Sequence, residues 1–189
     1  DGFATVHTRW DHRAGLFHSV YATNDVTNRL SYIGLANAFS VTNAETDMEM
    51  FFTEQNLLCQ CWDSAWSVGV QYVDASFFDG FIRAGVGVDV GSLFVRDPRL
   101  TYRVYLWPIE SDQMRAQIEH AYLFNLTDHL RLRGFADHTF HNEVSLLMEH
   151  SVDFYLTRNF FVSTGIRYNS FREERVGYQA GVGIDLLIR

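Results

Sequence analysis

Two-residue alternation, sustained for about a dozen residues at a time, constrains this chain more than any other feature. In GYQAGVGIDLLIR (177–189) one set is Tyr178, Ala180, Val182, Ile184, Leu186 and Ile188, and the other is Gln179, Gly181, Gly183, Asp185, Leu187 and Arg189. A period of two belongs to a β-strand with two unlike faces. The same grammar runs through 80–91, where Ile82, Ala84, Val86, Val88 and Val90 oppose Phe81, Arg83, Gly85, Gly87, Asp89 and Gly91. It recurs in 144–156, with Val144, Leu146, Met148, Val152, Phe154 and Leu156 on an apolar face that His150 interrupts. An apolar face turned inward would build a soluble sandwich or barrel. Turned outward, it would meet lipid in a transmembrane barrel.

Turn chemistry divides the chain. YLFNLTDHLRLRG (122–134) and DFYLTRNFFVSTG (153–165) each end an aromatic strand in Leu-Thr, pass a short polar turn and start a new alternating strand. Asp and Asn there supply local hydrogen bonds and tolerate unusual backbone angles. With NDVTN (24–28), CWDSAW (61–66) and the Asp97-Pro98 turn, these place five turns near residues 26, 63, 97, 127 and 158. Six further breaks fall at Asp11–Gly15, Thr42–Glu45, Asp74–Gly80, Ile109–Gln113, His141–Glu143 and Arg172–Arg175. Eleven connections imply about twelve strands with both termini at one end, as a closed antiparallel barrel requires. ESDQMRAQIEHAYLF (110–124) also fits a helix capped by Ser111. The neighbouring rhythm favours a strand, with Met114, Ala116, Ile118, His120, Tyr122 and Phe124 on one face.

The expected fold is therefore all-β: a single domain over 1–189, closed, antiparallel and up-and-down, with short connections on both sides. Only Pro98 and Pro108 interrupt long strands, and mean hydropathy is −0.10, with no apolar run long enough for a transmembrane helix. That does not count against a barrel, whose lipid-facing residues alternate with polar ones. Aromatics near the proposed turns (Trp62, Trp66, Phe94, Tyr122, Phe124, Phe154, Tyr155 and Phe160) suit an interfacial girdle, the alternative being that they cap a soluble core.

Charge gathers on the non-apolar face. Asp47, Glu49, Arg83, Asp89, Arg103, Arg115, Glu119, Arg131, Arg133, Glu149, Asp153, Arg167 and Asp185 fall there, interleaved with glycine. A lipocalin-type soluble barrel has too few strands for this count, and a soluble sandwich usually has shorter ones. Glycine and paired charge on one face suit a lumen. The net charge of −8, and basic residues that are all arginine without a basic run, argue against nucleic acid as a partner. Near-repeated RAGVGVD and QAGVGID lack the third glycine of a phosphate-binding loop. Cys59 and Cys61 are too close for an unstrained disulfide and too few for a metal site, so no cofactor or metal is expected. Asp1 is compatible with a mature terminus after signal cleavage.

On the LTDHLRLRG and LTRNFFVSTG turn–strand units and the terminal GYQAGVGIDLLI strand, the chain resembles the bacterial outer-membrane β-barrel superfamily over nearly its whole length. The resemblance implies an outer-membrane location and a lipid bilayer as partner. The chain departs from such barrels by ending Ile188-Arg189 where they end in an aromatic residue.

Three functions follow from a barrel of this kind. A narrow channel would use Arg83, Arg103, Arg115, Arg131, Arg133 and Arg167 to attract anionic solutes such as acidic sugars. Twelve-strand acidic-oligosaccharide porins offer a fold-level analogy for it. Against this, Glu119, Glu149, Asp153 and Asp185 balance the arginines, and pairing of Arg131 and Arg133 with Glu119 and Glu149 would fill the lumen. A scaffold subunit bound to other envelope proteins is the second reading, suggested by connections of about three to seven residues. A lipid-modifying enzyme is the third, with Asp137, His138, His141, Glu143 and Ser145 as its candidates. Their spacing assembles no recognisable triad or metal set, so activity of this kind is not the expectation.

Overall fold

The computed structural model describes residues 2–13, 15–43, 46–61, 64–112, 115–141 and 143–188, with backbone alone at 40–43, 46–49, 95 and 188. Twelve strands follow one another: β1 (Gly2–Asp11), β2 (Gly15–Asp25), β3 (Leu30–Asn43), β4 (Thr46–Gln60), β5 (Trp66–Ala75), β6 (Phe78–Asp89), β7 (Leu100–Glu110), β8 (Ala116–Thr127), β9 (Leu130–Phe140), β10 (Val144–Tyr155), β11 (Phe160–Asn169) and β12 (Val176–Ile188). Each pairs antiparallel with its sequence neighbours, and β1 closes on β12 from Gly2↔Ile188 to Asp11↔Gln179. Closure removes the open sheet edge that no hydrocarbon environment would tolerate.

Every expected break falls between two strands, although Ala14, Ala44, Glu45, Trp62, Asp63, Gln113, Met114 and Asn142 in or beside those breaks lie outside the described residues. The 110–124 segment is strand from Ala116 onward. One boundary differs. The 80–91 strand stops at Asp89, because the chain enters a single π-type turn over Gly91–Val95 that closes with Arg96 N–H donating to Gly91 O at 2.8 Å. Arg96 holds φ at 53°, and Asp89 Oδ1 accepts from the Ser92 amide at 3.0 Å. This connection, residues 90–99, therefore runs longer than the expected three to seven.

Alternation sets the two faces of the wall. Val68, Val70, Ile82, Val86, Leu106, Val152, Ile166, Val182 and Ile184 stand exposed on the outside, while Arg9, Ser19, Gln71, Arg83, Glu149, Asp153 and Asp185 are buried inside. A soluble protein would reverse these sets; an exposed apolar band over a polar interior is the pattern of transmembrane barrels. Exposed aromatics mark both rims. Trp66, Phe94, Phe154 and Phe160 lie toward the end that carries the termini, and Trp10, Phe77, Phe140, Phe171 and Tyr178 toward the end with six connections. Tyr155 is not among them. It faces the lumen, buried, and its hydroxyl donates to Asp185 Oδ2 at 2.6 Å.

On the inward face, aromatic rings lie over glycines. A Cβ on Gly85 would lie 2.7 Å from Trp107 Cε3, and one on Gly183 would lie 2.3 Å from Phe161 Cζ. Only glycine leaves room for these rings, which explains why glycine shares a face with charge. Pro108 sits where the β6–β7 register shifts between Ala84 and Val86, a bulge that tolerates its missing N–H.

Candidate functional site: the charged lumen

The inward face carries charge from every side of the barrel, arranged in two groups. Along β1, β9, β10, β11 and β12, Arg9 pairs with Glu149, Arg131 with Asp185 at 2.9 Å and Arg133 with Asp153 at 2.9 Å. Arg9 also donates to Ser19 Oγ at 3.0 Å and Gln179 Oε1 at 3.2 Å. Arg133 donates across the lumen to His7 Nδ1 at 2.7 Å. Aromatic rings support the guanidinium planes: Arg9 lies 4.8 Å over Phe17, Arg131 4.8 Å over Tyr155 and Arg167 5.5 Å over Phe17.

The second group, along β4 to β9, is rich in carboxylates. Arg83 Nε donates to Glu110 Oε2 at 2.8 Å and Arg83 Nη1 to Gln71 Oε1 at 3.2 Å. Arg115, just before β8, also reaches Glu110, at 3.4 Å. Glu119 Oε2 accepts from Trp107 Nε1 at 3.1 Å and Gln71 Nε2 at 3.2 Å, and Glu54 Oε1 accepts from Asn56 Nδ2 at 2.8 Å. Glu54, Glu119 and Asp137 repel one another, and Gln117 donates to Asp137 as Trp107, Gln71 and Asn56 do to the other two. Arg103 faces Asp89 electrostatically on the same side.

Of the ten residues expected to line the lumen, Arg83, Glu149, Asp153 and Asp185 are buried on the inward face, Glu119, Arg131, Arg133 and Arg167 bond to or pack against inward-facing groups, Arg103 faces Asp89, and Arg115 reaches Glu110 from just before β8. The expected partners of two are different. Arg131 and Arg133 take Asp185 and Asp153, whereas Glu149 is held by Arg9 and Glu119 by Trp107 and Gln71. Curvature explains the exchange: Arg131 on β9 reaches Asp185 across two intervening strands, which a flat sheet would keep apart. Sequence reasoning missed His7, Arg9, Glu54, Gln71 and Glu110. Alternation through β1, where Thr5, His7, Arg9 and Asp11 share the buried face, was the available signal for two of them. Asp47 and Glu49 lie where only backbone is described.

The catalytic candidates are scattered. By alternation along β9, Asp137 faces inward and His138 outward, and His141 lies exposed in the β9–β10 connection. Among the described residues no group of three or more His, Cys, Asp or Glu side chains is arranged to hold a metal ion. Cys59 and Cys61 are free thiols.

No protein-family model matches the chain, and no curated protein matches it in sequence. Its structure, however, is similar to solved porins. A KdgM porin superposes with a TM-score of 0.63 at 10% identity, covering 97% of this chain and 99% of its own. A KdgM porin in complex with disordered oligogalacturonate gives 0.62 at 10% identity, with coverage of 97% and 99%. A NanC porin gives 0.63 at 8% identity, with coverage of 98% and 100%. At such identities the likeness is one of fold. The chain has the closed barrel fold of small bacterial outer-membrane porins.

Proposed function

We propose that this chain is an outer-membrane channel with a narrow lumen that favours small anionic solutes, acidic sugars among them. The porin fold and the exposed apolar band between aromatic rims support a membrane-spanning channel. One observation carries the preference for anions. In the pairs Arg133–Asp153, Arg115–Glu110 and Arg131–Asp185 the arginine side chain is 24%, 30% and 19% exposed, against 0%, 0% and 11% for its acid. In these three pairs the carboxylate forms the back of the wall and the guanidinium its front; Arg83–Glu110 follows the same order at 8% against 0%, while in Arg9–Glu149 both members are nearly enclosed, at 8% and 11%. A solute in the lumen meets the forked donors first, and these match carboxylate geometry. The near-balance of formal charge therefore understates the positive character of the path.

The acidic group along β4 to β9 does not reverse this reading, since Glu119 and Glu54 direct their oxygens to Trp107, Gln71 and Asn56. A KdgM porin, solved in complex with oligogalacturonate, offers a polyanionic saccharide as the first solute to try. The experiment is swelling of liposomes that carry the refolded chain, in galacturonate against a neutral hexose of similar size. Faster entry of galacturonate, lost in Arg131→Ala/Arg133→Ala, is expected. Equal rates for the two sugars, or a variant indistinguishable from the parent, would remove arginine selection from the account.

A further inference from the structure

Three carboxyls in the lumen have no arginine of their own. Arg83 pairs with Glu110, Arg9 with Glu149, Arg131 with Asp185 and Arg133 with Asp153, and Arg115 also turns to Glu110. Among the described residues no arginine forms an ion pair with Glu54, Glu119 or Asp137. The three come from different sides of the barrel. Glu119 and Asp137 are direct neighbours on β8 and β9, and Glu54 on β4 stands five strands from β9 around the ring of twelve. Their mutual repulsion therefore acts across the lumen, on anything that passes through it.

The surrounding wall adds acceptors rather than cations. Asn56, 6% exposed, reaches into the set with Nδ2 donating to Glu54 Oε1 at 2.8 Å, and its own Oδ1 is buried without a partner. Asn37 Oδ1, one inward row beyond Glu54 on the paired strand β3, is likewise without one. The neutral donors Trp107 Nε1, Gln71 Nε2 and Gln117 offset part of the charge. What the set lacks is a positive charge that carries several N–H donors, which describes a primary ammonium. A metal ion is a poorer match, since among the described residues no three such groups are arranged to hold one. Carboxyls spread across a lumen can instead share the separate donors of one ammonium.

The arginines set the other end of the solute. On β9 the inward face reads Arg131, Arg133, Phe135 and Asp137, and on β8 Leu123, Ala121 and Glu119 lie opposite the last three. The four-residue step from Arg133 to Asp137 is about 13 Å along the strand. Strand tilt reduces it to about 10 Å along the barrel axis. Phe135 and Ala121 fill the row between, so the middle of a solute spanning this distance meets no charge on these two strands. Three extended residues of peptide cover about 10 Å. We propose that Glu54, Glu119 and Asp137, with the Asn56 amide oxygen, bind the primary ammonium of a zwitterionic short peptide whose carboxylate rests on Arg131 and Arg133. The inference rests on the reading of the lumen as a path for carboxylate-bearing solutes, and narrows it to those with an ammonium at the far end.

Calorimetric titration of the refolded full chain compares triglycine with N-acetyltriglycine, which keeps the carboxylate and loses the ammonium. Heat-modifiable gel migration first confirms folding of each variant. Triglycine is expected to bind about tenfold tighter than its acetylated form, the size of one charge-assisted hydrogen bond. Glu119→Gln/Asp137→Asn and, separately, Glu54→Gln should each shrink that difference several-fold, while Asp97→Asn in the exposed turn before β7 keeps it. Liposome swelling should rank the two peptides in the same order. Equal binding of the two peptides, or a difference unchanged in the carboxyl variants, would overturn the inference. So would a parent that binds neither, since protons would then neutralise the carboxyls. Galacturonate entry ahead of a neutral hexose alongside any of these would leave the arginine reading standing; loss of that preference as well would remove both.

Discussion

Asp153→Asn isolates the force that holds the arginine wall in place. Asp153 is fully enclosed, and its carboxylate lies 2.9 Å from Arg133 Nε. Removing one member of a buried ion pair costs about 3–5 kcal/mol, because the remaining charge has lost its compensation. Arg133 softens that penalty: its side chain is 24% exposed, and it keeps His7 at 2.7 Å and Ser151 at 3.2 Å. After this discount about 2–3 kcal/mol of destabilisation is expected. The assay is reversible urea unfolding of the refolded barrel in lipid vesicles, followed by tryptophan fluorescence. Adding Arg133→Met to Asp153→Asn removes the stranded charge and is expected to recover stability to within about 1 kcal/mol of the parent. A single-variant loss under about 0.5 kcal/mol, the size of an ordinary surface change, would refute the reasoning. So would a double variant no better than Asp153→Asn, since the cost would then not arise from uncompensated charge.

Other expectations follow from the same geometry. Val182→Arg puts a charge on the lipid face near the middle of β12 and should cost about 2–4 kcal/mol in vesicle unfolding; a negligible cost would mean that this face does not meet hydrocarbon. Trp107→Ala removes a buried ring packed on Tyr105 and Leu58, should cost about 3–5 kcal/mol and should raise single-channel conductance. Unchanged conductance would place the constriction elsewhere. At the exposed turn before β7, the Arg99 side chain and backbone N–H hold the Asp97 carboxyl down at about 2. Because the folded value is lowered, the stabilisation is complete above the ordinary value of about 4 and is lost as pH falls from there toward 2. A carboxyl-carbon NMR titration of Asp97 that moves to the ordinary value in Arg99→Ala checks this.

The barrel was legible because its two organising signals are local. Alternation assigns each residue to a face, and Asp/Asn turns mark where strands end, so twelve strands emerge without knowledge of any distant contact. The π-type turn at Gly91–Val95 was not legible, since Val90 and Gly91 continue the alternating pattern of β6 and only the left-handed Arg96 breaks it. Composition of the lumen could be read from the polar face, but its pairing could not. Arg131 meets Asp185 and Arg9 meets Glu149 through barrel curvature, which no spacing encodes. His150 interrupts an apolar face in sequence; its partner, the Tyr122 hydroxyl 3.0 Å away across Gly134, becomes visible only in the folded barrel. Tyr155 misled for a simpler reason. It sits beside a turn, where girdle aromatics are expected, yet its parity turns it toward Asp185.

The most direct test of the channel reading is the reversal potential of the refolded chain in a planar lipid bilayer under a salt gradient. The account predicts discrete conductance steps with anions favoured over cations, and loss of that preference in Arg131→Ala/Arg133→Ala. Cation-favouring steps, or silence from a chain shown to be folded and inserted, would contradict it.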